Sequence, residues 1–177
     1  MIGDSTMANK DISGGKMERG WGMMLKNFFT EDVIVDNHAL NGRSSKSFIS
    51  EGHWQKVVEK IKPGDYVFIQ FGHNDEKDDP KRHTDPGTTF DENLRKFVKE
   101  TRMRGGIPVL FNSVVRRIFT NSKTAVADDD TRSNSSADLV EGDTLVDTHG
   151  DYLLSPRNVA RELDVPFVDA NKITHDL

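Results

Sequence analysis

The chain has 177 residues, 24 basic and 29 acidic side chains, six histidines and no cysteine. This length suits one domain that buries most of its apolar surface without staples. The missing cysteines exclude disulfides, thiolate metal sites and a cysteine nucleophile. The net charge of −5 and the lack of a basic stripe argue against nucleic acid as a partner, and no apolar run reaches the ~18 residues of a membrane span. No signal peptide is visible.

Taken in chain order, the apolar pattern alternates between two periods. Trp21, Met24, Leu25 and Phe28 fall at i, i+3, i+4 and i+7 and predict a first helix. Val33-Ile34-Val35, ending in the turn signal Asp36-Asn37, reads as a strand. Gly42 to Ser45 reads as a helix-entry loop. Trp54, Val57, Val58 and Ile61 repeat the helical spacing. Tyr66 to Phe71 is a stronger strand, entered through Pro63-Gly64-Asp65 and left at Gly72. Phe90, Leu94, Phe97, Val98 and Thr101 mark a long helix, with Thr89 and Glu92 as a capping box and Gly105 as its C′ residue.

Ile107 to Phe111 predicts the next strand, Ser155-Pro156 an N-cap and N1 pair opening a helix to about Leu163, and Val165 to Val168 a last strand. His175 falls at the start of a further helix. Continuous apolar strands between amphipathic helices predict an α/β fold around a parallel sheet. The stretch 116–150 breaks this rhythm. It holds Asp128-Asp129-Asp130 and Asn134-Ser135-Ser136 and reads as a solvated loop insertion near the site. Part of Leu139–Val146 reads as a small hairpin. A metal site is disfavoured, because three adjacent aspartates do not readily converge on one ion.

In open α/β sheets, ligands bind at the carboxyl ends of the strands. Three polar segments fall there: Gly3-Asp4-Ser5-Thr6-Met7-Ala8, Asn37 to Phe48 with Asn41-Gly42-Arg43-Ser44-Ser45 at its centre, and Phe71-Gly72-His73-Asn74-Asp75. Each alone is an ordinary turn. Their order and spacing together resemble the SGNH, or GDSL-like, hydrolase superfamily, and within it the rhamnogalacturonan acetylesterase-like carbohydrate esterases. Gly20-Trp21-Gly22 and His149-Gly150-Asp151-Tyr152 add to the likeness, which runs over most of the chain and is weakest in 120–138.

The resemblance implies a flavodoxin-like three-layer α/β/α sandwich and a serine esterase that removes O-acetyl groups from rhamnogalacturonan or pectin-type polysaccharide. Ser5 would be the nucleophile. The backbone N–H groups of Ser5 and Gly42 and the side-chain amide of Asn74 would form the oxyanion hole. Arg43 and His149 are candidates for the substrate side, with a loop-structuring role as the alternative for His149. Asp4 and Asp75 would hold loops by accepting N–H bonds. Trp21 and Trp54 fall on apolar stripes and read as core before sugar contacts. No cofactor or metal is implied. The partner is an acetylated oligo- or polysaccharide, and the family likeness suggests a secreted or periplasmic setting.

The superfamily's base comes in a late Asp-x-x-His block. The residues three before His38, His53, His73, His83, His149 and His175 are Val35, Ser50, Gln70, Pro80, Val146 and Lys172, so the block is absent here. Asp147-Thr148-His149 has the wrong spacing and precedes the helix at 156. Only Met1 and Ile2 precede Gly3, where a strand of about five residues is usual. The expectation is a single domain over 1–177 that lacks most of its first strand and its base, a piece of a longer esterase that is inactive alone. Two other readings remain open. One is a lipase or thioesterase of the same superfamily, disfavoured by the lack of an apolar lid segment. The other is a non-catalytic sugar-binding module or a phosphate cradle at Gly3-Asp4-Ser5-Thr6, where Asp4 would repel the phosphate.

Overall fold

A computed structural model describes residues 1–116, 119–120, 144–145 and 147–176. The chain divides into two compact units. One comprises Met1–Val114 with His149–Leu177, the other Val115–Thr148.

The first unit is built on a four-stranded, wholly parallel sheet in the order β1 (Ile2–Gly3), β2 (Tyr66–Gln70), β3 (Ile107–Phe111) and β6 (Phe167–Val168). Its register pairs Ile2 with Ile69, Phe68 with Val109 and Phe111 with Val168. Successive strand side chains face opposite ways. Ile2, Val67, Ile69, Phe71 and Leu110 therefore share one face, and Phe68, Val109 and Phe111 the other. The first face is covered by α2 (Ser45–Ser50), α3 (His53–Val58), α4 (Thr89–Met103) and α5 (Leu154–Leu163). Trp21 of α1 (Trp21–Leu25) and Ala170 of α6 (Ala170–His175) pack on the second. This is the three-layer α/β arrangement that the sequence pattern and the resemblance both implied.

Helix α4 shows why the strong patterns hold. Phe90, Leu94, Phe97, Val98 and Thr101 are all fully buried. Asp91 and Glu92 lie in its first turn and Arg102 in its last, each matching the helix dipole. The helix ends in a Schellman motif. Gly106 N–H donates to Thr101 O (3.0 Å) and Gly105 N–H to Arg102 O (2.9 Å), with Gly105 at φ +77°.

Three local expectations are corrected. The capping box at Thr89 does not form. The N-cap is Thr88, which makes no side-chain cap bond, and the Thr89 hydroxyl accepts from Asp85 N–H (2.8 Å). Ser155 is not an N-cap, because a 3-10 turn over Gly150–Leu153 winds directly into α5. Its hydroxyl accepts from Gly87 N–H instead (3.3 Å). Val33-Ile34-Val35 forms no strand. His38 N–H donates to Met1 O (2.9 Å), Leu40 N–H to Gly3 O (3.0 Å), and the Met1 ammonium to Asp36 O (2.8 Å). The pairing thus runs from Asp36 to Leu40 beside β1. Residues 33–35 lie beyond that level, with Ile34 90% exposed.

In the second unit, β4 (Phe119–Thr120) pairs antiparallel with β5 (Thr144–Leu145), matching Phe119 to Leu145 and Thr120 to Thr144. Part of the predicted hairpin is thus paired with a segment upstream of it. The polar runs Asp128–Asp130 and Asn134–Ser136, and residues 139–143, lie outside the described residues. Among the described residues no helix is long and apolar enough to cross a membrane.

Phe97 stacks on Phe71 (centroids 5.4 Å) and meets Trp54 edge-on (4.9 Å) at the centre of the core. Phe97→Ala is expected to lower unfolding stability by about 3–5 kcal/mol, read by urea denaturation. A loss below about 1 kcal/mol would show that this core closes around the gap.

Candidate active site

The three polar segments lie at one edge of the sheet because the strands bring them there in register. Gly3 pairs with Gln70, so Asp4-Ser5 leaves β1 level with the point where Phe71-Gly72 leaves β2. Leu40 is bonded to Gly3, which brings Asn41-Gly42 to the same edge from the other side.

The first turn is wound tightly around Asp4. Its carbonyl accepts from Met7 N–H (3.2 Å) and Ala8 N–H (3.1 Å). Its buried carboxylate Oδ1 accepts from Thr6 N–H (2.9 Å) and the Thr6 hydroxyl (2.7 Å), an Asx turn with Ser5 at its centre. Trp21 N–H donates to Thr6 O (2.9 Å), so the start of α1 lies against this turn. A Cβ on Gly20 would collide with the Ala8 carbonyl and one on Gly22 with Met7, which is why glycine flanks Trp21.

The second turn carries Gly42 at φ +71°. A Cβ there would meet open space, so its backbone conformation, and not crowding, calls for glycine. Lys10 Nζ donates to Asn41 Oδ1 (3.0 Å) and ties this turn to the one after Ser5. Arg43 is partly exposed. Its Nε donates to Glu51 Oε2 (3.0 Å) and its Nη1 to Asn41 O (3.0 Å). Ser44 then caps α2 through a reciprocal box with Ser47.

In the third turn Gly72 adopts φ +143°, and a Cβ would strike Ser113 Oγ. Asn74 is buried, and its Nδ2 donates to Arg43 O (3.1 Å). This bond links the third turn to the second, beside Gly42. Asp75 accepts from Ser45 N–H (3.0 Å), Ser45 Oγ (2.5 Å) and Thr84 Oγ1 (2.9 Å). The Tyr152 hydroxyl donates to the Asp75 carbonyl (3.3 Å) and to Thr84 O. Burial pushes the Asp75 carboxyl up to about 7. The bonds from Ser45 and Thr84 pull it down, and the charge of Asp4 adds to the rise.

Ser5, Gly42 and Asn74 are therefore carried on neighbouring, cross-bonded turns, with Arg43 on their exposed side. His149 is fully buried. Its Nδ1 lies 2.9 Å from Glu76 Oε2 and its Nε2 3.1 Å from Val114 O, so its side chain has no surface open to a substrate. Its ring meets that of His73 edge-on (4.4 Å), and His73 Nδ1 lies 3.7 Å from Asp4 Oδ2. His38 bonds to Asp36, His53 to Glu51, and His83 to Lys77 O and Asp85. His175 closes α6 instead of opening it, beside Asp176. Trp54 is core, with its indole N–H on Glu100 (2.5 Å). Trp21 packs on Phe111 with its N–H on Gln70 (2.6 Å). Among the described residues no group of three or more acidic or histidine side chains is placed to hold a metal ion.

Sequence reasoning missed Gln70, Lys10 and Thr84. Gln70 alone left a signal, a polar residue interrupting the apolar run of β2.

The model of the GDSL-like lipase/acylhydrolase family matches residues 1–177. The chain belongs to that family. It is 37% identical over 169 residues to the rhamnogalacturonan acetylesterase RhgT of Bacillus subtilis, an alignment covering 96% of this chain and 62% of that one. It is 39% identical over 75 residues to a rhamnogalacturonan acetylesterase of Emericella nidulans, covering 42% of this chain and 27% of that one. The crystal structure of YxiM from Bacillus subtilis superposes with a TM-score of 0.72 at 25% identity, covering 99% of this chain and 44% of that chain. The chain thus spans less than two thirds of the length of each of these relatives.

Because the folded pKa of Asp75 is raised, the native state keeps a proton that the unfolded chain releases near pH 4. The stability from that proton is fully present below pH 4 and is lost as pH rises to about 7. Carboxyl-carbon NMR is expected to show one aspartate titrating near 7 that vanishes in Asp75→Asn. A midpoint below 4 would show that the Ser45 and Thr84 bonds outweigh burial.

Proposed function

We propose that this chain carries the nucleophile and the oxyanion hole of a serine esterase that removes O-acetyl groups from polysaccharide of the rhamnogalacturonan or pectin type. The observation that carries this reading is the bond from Asn74 Nδ2 to Arg43 O beside Gly42, on turns in register with the one that holds Ser5. The family membership supports ester hydrolysis, and the names of the RhgT and Emericella relatives support the acetylated pectic substrate.

In this reading Ser5 Oγ attacks the acetyl carbonyl, and the charge that develops on its oxygen is met by N–H groups of Ser5, Gly42 and Asn74. One hydrogen of the Asn74 amide is engaged by Arg43 O, and the amide's second hydrogen is the donor assigned to the oxyanion. Neutral preorganised donors favour charge that appears only in the transition state. The positive φ of Gly42 turns its N–H relative to the preceding strand-like segment, which suits this role. The sugar alcohol leaves, and water then hydrolyses the acetyl-serine. The resemblance places the base that takes the Ser5 proton in an Asp-x-x-His block, which these 177 residues do not contain. Arg43, on the exposed side of the Gly42 turn, is assigned to the substrate side. His149, held on both ring nitrogens, is assigned to tethering the chain after β3 to the Asn74 turn.

The test is acetate release from acetylated rhamnogalacturonan by the intact protein, with labelling by an aryl fluorophosphonate. Ser5→Ala is expected to abolish labelling and lower turnover at least about 10³-fold. Asn74→Ala is expected to lower kcat by about 10²–10³-fold. Labelling at another residue, or undiminished release by Ser5→Ala, overturns the reading. Preference for long-chain acyl esters would overturn the substrate class.

A further inference from the structure

We propose that Gln70 and Thr6 are positioning residues for Ser5, joined with Trp21 in a one-way chain of hydrogen bonds that fixes the nucleophile's turn from beneath. The proposal rests on the reading of Ser5 as the nucleophile. The chain has three links. Trp21 Nε1 donates to Gln70 Oε1 (2.6 Å), Gln70 Nε2 donates to Thr6 Oγ1 (3.1 Å), and Thr6 Oγ1 donates to Asp4 Oδ1 (2.7 Å).

Its direction is set at both ends. An indole N–H can only donate, and Asp4 Oδ1 accepts from both the Thr6 N–H and the Thr6 hydroxyl. Between them, Gln70 has to turn its oxygen to Trp21 and its nitrogen to Thr6. The Thr6 hydroxyl, already accepting from Gln70, has to give its own hydrogen to Asp4. No amide flip or hydroxyl rotation keeps all three bonds, so the chain holds one arrangement, and each bond polarises the next.

The ends are rigid. Gln70 is fully buried in β2, hydrogen-bonded between β1 and β3. Trp21 packs on Phe111 (centroids 5.4 Å). Thr6 is gripped at all three of its polar groups: its N–H by Asp4, its carbonyl by Trp21 N–H and its hydroxyl by Gln70 and Asp4. Asp4 is met on its other oxygen by His73 (3.7 Å). Ser5 lies between Asp4 and Thr6, so its backbone cannot shift without breaking this set. A nucleophile and the oxyanion donor on its own N–H work only when held within roughly 0.5 Å of the productive place. The chain supplies that restraint from the second face of the sheet and from α1, with no contact to a substrate required.

The test compares Thr6→Val, which keeps the shape and removes the hydroxyl, with Thr6→Ser, which keeps the hydroxyl. Both are measured in the intact protein on p-nitrophenyl acetate, with thermal melts by circular dichroism. Thr6→Val is expected to stay folded at assay temperature, lower kcat at least tenfold and leave KM within about twofold. Thr6→Ser is expected to stay within threefold of the parent kcat. Trp21→Phe breaks the far link, about as far from Ser5 as the chain reaches, and is expected to lower kcat at least threefold. Parent-like kcat in Thr6→Val, or an equal fall in Thr6→Ser, overturns the proposal. If Thr6→Val does not fold, unchanged kcat in Trp21→Phe overturns it. Ser5→Ala run alongside separates the two readings. Unchanged turnover there removes the nucleophile and the chain together, whereas lost turnover there with parent-like Thr6→Val removes the positioning role alone.

Discussion

The buried Asp75 carboxylate is the interaction on which the site edge depends. It accepts from the first N–H and the hydroxyl of α2 at Ser45 and from the Thr84 hydroxyl, so it clamps the end of β2, the start of α2 and the loop at 84 to one point. Gly42 lies three residues before Ser45, and Asn74 precedes Asp75. The relative placement of these two proposed oxyanion donors is thus set by a bond neither of them makes. A carboxylate without such donors would be expelled or neutralised, because burying a bare charge costs several kcal/mol. The structure answers with an N–H, two hydroxyls and a raised proton affinity.

The same economy of contact explains the glycines. Gly20 and Gly22 let α1 lie against the Ser5 turn, and Gly72 lets the chain leave β2 close against Ser113. Polar side chains beside these close approaches bond to the neighbouring turns. Asn37 shows the pattern. Its amide nitrogen donates to Met7 O (2.9 Å) while its oxygen accepts from Ala39 N–H (3.1 Å), binding the first turn to the second. Such two-ended side chains specify a single geometry where apolar packing alone would allow several.

Much of the architecture was legible in the sequence where one element carries a complete signal. Helix α4 buries four apolar side chains and Thr101 on one face and ends in glycine, β3 is an unbroken apolar run and β2 is apolar up to Gln70, so local pattern and burial agree. Expectations failed where a short element depends on its neighbour. Val33 to Val35 has strand composition, but a strand exists only beside a partner, and the pairing level with β1 starts at Asp36. Ser155 has a cap's composition, but the preceding 3-10 turn already supplies the helix entry. At the site, Ser5, Gly42 and Asn74 stood out only through the order and spacing of their three turns and the family resemblance these carry, since each turn alone is ordinary. Gln70 did not, and Trp21 read as core with no sign of its polar partner, since their bonds span 64 and 49 residues and a single glutamine in a strand does not reveal what it faces.

His149 shows how burial changes a chemical assignment. From sequence it is a polar residue beside a glycine, as available to a substrate as to the protein. In the structure one ring nitrogen meets a carboxylate and the other a carbonyl, and its ring edge packs on His73. Held at both nitrogens, the ring joins the Glu76 carboxylate to the backbone at Val114 and fixes the chain after β3. Asp4 and Asp75 are likewise fully buried, one in the Ser5 turn and the other beside Asn74. Thr6 at Asp4, and Ser45 and Thr84 at Asp75, give these buried carboxyl groups the donors that water would otherwise supply.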